Sequence, residues 1–167
     1  MLQHTKHRAI RRLLSVAFIC IAVIAATSGC SSSACLNDID LRGFSIVFEK
    51  GACFGQCPTY RATITGERKV EFTTIAFVDP PRAEAGTIED KTMCEILSEL
   101  TESGFSTTQS VMAPVADAPV TRITVKRGSL THMVEWNLGV PKNLRKLHDL
   151  LEANTYRNPT LIAPEYK

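Results

Sequence analysis

Six cysteines are the most chemically competent residues of this 167-residue chain. The sharpest spacing is Cys53-Phe54-Gly55-Gln56-Cys57-Pro58. Three intervening residues with a central glycine let the chain fold back, because glycine accepts positive φ. The two Cα atoms then approach the separation a disulfide needs. Closing so short a loop is worth about 2 kcal/mol on chain-entropy grounds, so the expected role of a Cys53–Cys57 disulfide is to fix a turn. Two sharper chemistries compete with it. A thiol-exchange pair ordinarily has two intervening residues at a helix N-terminus, which lowers the thiol pKa; here a strand pattern follows Pro58. Soft thiolates also select Cu(I), but His132 and His148 are the only histidines beyond residue 29, and neither has a flanking ligand motif. The expectation is therefore no metal and no cofactor. Cys35 and Cys94 form a candidate second disulfide, with a plain buried thiol as the other reading of Cys94.

No Gly-x-Ser-x-Gly, His-Glu-x-x-His, P-loop or dinucleotide-binding pattern occurs, so no catalytic residue is assigned. Asp117, two residues before Pro119, reads as a turn former. Trp136 is either a core anchor or an exposed binding aromatic, and core is favoured because Trp is mostly buried. Glu67, Arg68 and Lys69 read as a solvated turn.

Composition bounds the function classes. At 44% hydrophobic and 22% charged residues the chain is ordinary globular material for one domain. Collagenous, low-complexity and multi-span membrane classes are excluded. The net charge of +2 is concentrated at the N-terminus, where Lys6, Arg8, Arg11 and Arg12 stand without an acidic residue in 1–29. The remainder is slightly acidic and has no basic stripe, which argues against a nucleic-acid partner.

Residues 1–12 are basic, Leu13 to Ala26 are apolar, and Thr27-Ser28-Gly29 are small residues leading to Cys30. That is the three-zone pattern of a secretory signal. The apolar run is shorter than the roughly 20 residues a spanning helix needs. Small residues ending in a cysteine resemble the lipobox of bacterial lipoproteins, although Thr27 replaces the usual leucine. The resemblance implies that Cys30 is acylated and becomes the mature N-terminus, anchoring the protein to a membrane. Ser31, not Asp, follows it, which by resemblance to enterobacterial lipoproteins implies outer-membrane sorting, facing the periplasm, in a host with two membranes. Such a compartment permits disulfides.

The elements that must position the cysteines follow from hydrophobic period. Phe44–Glu49 and Thr59–Thr65 alternate and read as strands around the cysteine turn. Lys69–Val78 is a third strand, stopped by Asp79-Pro80-Pro81. Thr87 with Asp90 resembles a capping box opening a helix over 87–103, with Met93, Ile96, Leu97 and Leu100 on its apolar face. Val120–Lys126 and Leu130–Trp136 are a fourth and fifth strand, and Pro141 opens a second helix over 141–155. The order β-β-β-α-β-β-α predicts an α+β, two-layer fold, a mainly antiparallel sheet with two helices on one face. The expected division is a signal peptide over 1–29, a lipidated Ser-rich tether over 30–43, one α+β domain over 44–156 and an irregular tail over 157–167.

The run Cys53-Phe54-Gly55-Gln56-Cys57-Pro58-Thr59-Tyr60, the strand that follows it, Asp117-Ala118-Pro119, and Gly139-Val140-Pro141 with Leu144 and Leu147 resemble the bacterial "domain of unknown function 6438" family, from Phe48 to about Leu151. Family members often carry secretory or lipoprotein signals; no activity is implied. Over six residues the Cys-x-x-x-Cys-Pro spacing is also similar to Sco-type copper chaperones, which use a third, histidine ligand. The leading expectation is a non-enzymatic, lipid-anchored module of the bacterial cell envelope that binds an envelope protein or ligand, or protects the envelope. The alternative is thiol–disulfide or Cu(I) handling through Cys53 and Cys57. A third reading is an inhibitor presenting Phe54 at the tip of the turn.

Overall fold

The computed structural model describes residues 34–37, 39–158 and 161. The expected signal peptide, Cys30 and most of the expected tail lie outside the described residues. A short helix α1 (Ala34–Asn37) precedes strands β1 (Phe44–Lys50), β2 (Thr59–Thr65), β3 (Lys69–Ala76) and β4 (Ala83–Thr87). Helix α2 (Asp90–Glu102) follows, then β5 (Thr121–Arg127), β6 (Leu130–Trp136) and helix α3 (Arg145–Asn154). The strands form one sheet in the order β4-β3-β2-β1-β5-β6, every neighbouring pair antiparallel. The fold is a two-layer α+β sandwich.

Alternation assigns the faces. Phe44, Ile46 and Phe48 of β1 point inward, where Ile46 lies between Ile64 and Val125, and Phe48 between Ala62 and Ile123. Met93 and Ile96 of α2 and Leu147 and Leu151 of α3 close over this face. Each such fully buried side chain contributes roughly 1.5–3 kcal/mol. Trp136 is part of this core. The helices run in opposite directions across the strands. Helix α2 starts beside the β2–β3 turn, where Arg68 pairs with Asp90, and its end leads to β6, where the Thr108 carbonyl meets His132. Helix α3 starts beyond β6, and the chain after it stacks Tyr156 on Tyr60 of β2. Lys146 reaches the buried Glu99 across the helix pair at 2.6 Å, and that hydrogen bond raises the lysine's pKa.

The other sheet face is polar, as one-sided antiparallel sheets require. Across it runs a ladder of Glu135, Arg122, Glu49 and Arg61, with contacts of 2.6, 3.3 and 2.7 Å. The Glu135 hydrogen bond raises the pKa of Arg122.

Three expectations are corrected. The sheet has a sixth strand, β4, so the order is β-β-β-β-α-β-β-α; Thr87 ends that strand and does not cap a helix, and α2 begins at Asp90 with Glu89 as an N-cap that makes no side-chain bond. Residues 34–43, expected as tether, carry α1 and pack Leu36 and Leu41 on the core. Arg68 is not simply solvated: it takes the left-handed position of a three-residue hairpin turn, at φ 65°, and is held there by Asp90 and by the Ile88 N–H that its carbonyl accepts.

Candidate functional site

Strand direction sorts the loops onto two ends of the sheet. One end holds the tight turns at Gly66 and Gly128, and the chain reaches β1 there through Leu41, whose carbonyl accepts the Phe44 N–H. The other end holds the long loops 51–58, 77–82 and 112–120, with 137–141. Cys53 and Cys57 lie in the first of these. Their sulfurs are at disulfide distance, with Cα atoms 5.7 Å apart, and Gly55 takes φ 133° as the reversal demands. The Gly51 N–H donates to the Val120 carbonyl and the Phe54 N–H to that of Asp117, so the cysteine turn is tied to the loop before β5. Asp117 sits at φ 62°, in keeping with its expected turn role. The Thr59 hydroxyl donates to the Cys57 carbonyl as the chain passes into β2.

The distribution of exposed apolar side chains marks this end. Among the described residues, seven of the nine large exposed hydrophobics lie here: Phe54, Ile75, Phe77, Val111, Met112, Val115 and Leu138. Phe54 is 87% exposed. A core-forming sequence has no folding reason to put so many at one end, and clustering of that kind marks interaction surfaces.

Sequence reasoning missed a second constellation behind this end. Tyr60 is fully buried on the inner face, stacked on Tyr156 at 4.8 Å and packed edge-on to Phe48. Its hydroxyl faces Glu152 without completing a hydrogen bond. Burial raises its pKa, and the Glu152 charge adds to the rise. Glu152 also pairs with Arg157 at 2.9 Å and Lys50 at 3.7 Å. Arg82 lies over the Phe72 and Tyr156 rings and donates to the Tyr156 carbonyl at 2.8 Å. This cluster clasps the segment after α3 to the sheet. Its members come from five separate stretches of chain, so no spacing announces it.

The thiol chemistry gets little support from its surroundings. Cys57 leads into a strand, so no helix N-terminus lowers a thiol pKa there. His148 is buried against Phe48 and Trp136, and the His132 Nε2–H donates to the Thr108 carbonyl at 3.0 Å. Among the described residues no three His, Cys, Asp or Glu side chains converge as a metal-holding set. The second cysteine pair joins different elements: Cys35 of α1 and Cys94 of α2 are also at disulfide distance, Cα atoms 6.0 Å apart. No helix among the described residues is long and apolar enough to cross a membrane.

These features define a small α+β domain with two cysteine pairs at disulfide distance, a helix-covered sheet face and an apolar loop end. The chain belongs to the family described as "domain of unknown function (DUF6438)", whose sequence profile matches residues 44–155. No curated protein matches the chain.

Proposed function

We propose that this is an exported envelope protein, acylated on Cys30 after removal of residues 1–29, whose domain is a non-enzymatic binding module for another envelope protein. The observation that carries this reading is the concentration of exposed apolar side chains at the end stapled by Cys53 and Cys57. Residues 39–43 enter the sheet at the opposite end, where the Leu41 carbonyl accepts the Phe44 N–H. In an oxidising compartment both cysteine pairs are bonded. The short bond holds Phe54 in place before a partner arrives, which lowers the ordering cost of binding. The thiol and Cu(I) reading is the weaker one, because Cys57 leads into a strand and, among the described residues, no metal-holding set of side chains converges.

The test places a photoreactive residue at position 54 in cells and, for comparison, at position 71 on the polar sheet face. A specific adduct from 54, absent from 71 and lost in Phe77→Asp, supports the binding reading. Equal labelling from both positions, or none from 54, sinks it. Intact mass of the membrane-extracted protein reads the lipid on Cys30 and the new N-terminus. Insulin reduction or Cu(I) uptake that vanishes in Cys53→Ser/Cys57→Ser would establish the thiol reading instead.

A further inference from the structure

At the opposite end, the helix layer does not cover the whole inner face. Between α2 and the ends of β1, β5 and β6 lies a half-open hollow of about 540 Å³, within the usual range for small-molecule sites. Its walls are Phe44, Leu97, Leu100, Phe105, Val125 and Leu130. Leu130 pairs with Arg127, and Arg127 with Phe44, so all three share the inner face. Yet Leu130 is 74% exposed. Leu130 therefore offers apolar surface at the mouth of the hollow.

The polar groups narrow what the hollow can hold. Among the described residues no acidic side chain lines the hollow; Arg127 and His132 do. His132 is fixed in the wall by Thr108 and by the edge-on Phe105 ring 5.3 Å away. The Arg127 side chain is exposed at the rim, and among the described residues it makes no side-chain hydrogen bond or ion pair. Its charge acts on Asp40, whose carboxylate is already held by Arg42 through three contacts of 2.9–3.3 Å. A peptide would need partners for each buried amide, and among the described residues the lining offers, besides Arg127 and the engaged His132, the hydroxyls of Thr101, Ser106 and Thr131. A ligand with an apolar body and one anionic end has no such need. We infer that this hollow binds a long-chain fatty acid, its chain along Leu97, Leu100 and Val125 and its carboxylate on Arg127. The inference is independent of the partner proposed for the stapled end.

The test uses the purified full chain, stripped of lipid, titrated with cis-parinaric acid, whose fluorescence rises in an apolar site. Palmitate should displace the probe, and hexadecanol, which lacks the charge, should do so about tenfold less well. Arg127→Gln should weaken palmitate about tenfold and erase the difference between acid and alcohol. Ser106→Trp, at an exposed rim position, should abolish probe binding while circular dichroism and melting stay unchanged. Absence of displacement, equal displacement by acid and alcohol in the unsubstituted chain, or an unaffected Arg127→Gln would each overturn the inference. So would probe binding that survives Ser106→Trp, because that would place the probe on the apolar residues 13–26 or elsewhere.

Discussion

Removing the two cysteine pairs one at a time should give unequal losses of stability. Cys35 and Cys94 are 59 residues apart in sequence, Cys53 and Cys57 only four. Chain-entropy arithmetic makes the longer closure worth about 4 kcal/mol and the shorter about 2. The longer loop encloses β1 to β4, so its bond restricts the unfolded freedom of four strands of the sheet. The shorter bond restricts a turn alone. For a domain of this size each kcal/mol moves the melting temperature by roughly 3–5 °C. Cys35→Ser/Cys94→Ser should then melt about 12–20 °C below the parent and Cys53→Ser/Cys57→Ser about 6–10 °C below it. The pairs sit on different elements and share no partner, so a fourfold variant should lose close to the sum. Thermal unfolding by circular dichroism, with denatured alkylation to count free thiols in the parent, measures this. A short-loop variant that loses as much as the long-loop one would refute the entropic reasoning. It would mean that the stapled turn carries contacts the sheet depends on.

Two further outcomes test particular contacts. Burial holds Tyr60 neutral in the fold, while an unfolded tyrosine ionises near pH 10. Above that pH the unfolded chain binds fewer protons than the folded one, so stability falls as pH rises. Tyr60→Phe should flatten the decline in melting temperature above about pH 10 and should stay within about 1 kcal/mol of the parent at neutral pH, because the hydroxyl lacks a hydrogen-bond partner; parallel pH curves would contradict it. Gly66→Ala should cost about 1–3 kcal/mol in urea unfolding, since a methyl group there runs into the Leu41 carbonyl. A silent substitution would mean that residues 34–43 hang free of the domain after all.

Much of the sheet was legible because bulky and β-branched residues alternate where one face is buried. Thr59–Thr65 and Leu130–Trp136 were read to the residue, and β1 and β5 to within one. Strand β4 was illegible for the complementary reason. Ala83-Glu84-Ala85-Gly86-Thr87 offers no bulky alternation; its inward positions are Glu84 opposite Phe72 and Gly86 opposite Val70. An edge strand pairs through its backbone, and backbone pairing leaves no mark on side-chain pattern. The capping-box signal at Thr87 and Asp90 then outweighed it, although Asp90 is used to hold Arg68.

The same distinction separates the two candidate sites. The cysteine turn is local: its two thiols, its glycine and its proline fall within six residues, so spacing alone announces a reversal. The hollow at the other end is assembled from α2, the turn after it, and the ends of three strands. Each contributing residue has a bland local reading, with Arg127 and Leu130 as the flanks of a Gly-Ser turn and Leu97 and Leu100 as part of a helix stripe. Only register puts Arg127 beside Phe44 on the inner face, and only the course of α2 across the strands leaves Leu130 uncovered. Glu99 makes the point in the opposite sense. A carboxylate on the buried side of a helix reads as an error in the stripe, until α3 delivers Lys146 to it. A charge on an inner face is therefore accounted for here only when a partner can be named. Glu99 has one in the chain. Arg127 is exposed and acts on Asp40 only through its charge, so its guanidinium stands beside the apolar hollow with its hydrogen-bond donors open to a ligand's anionic end.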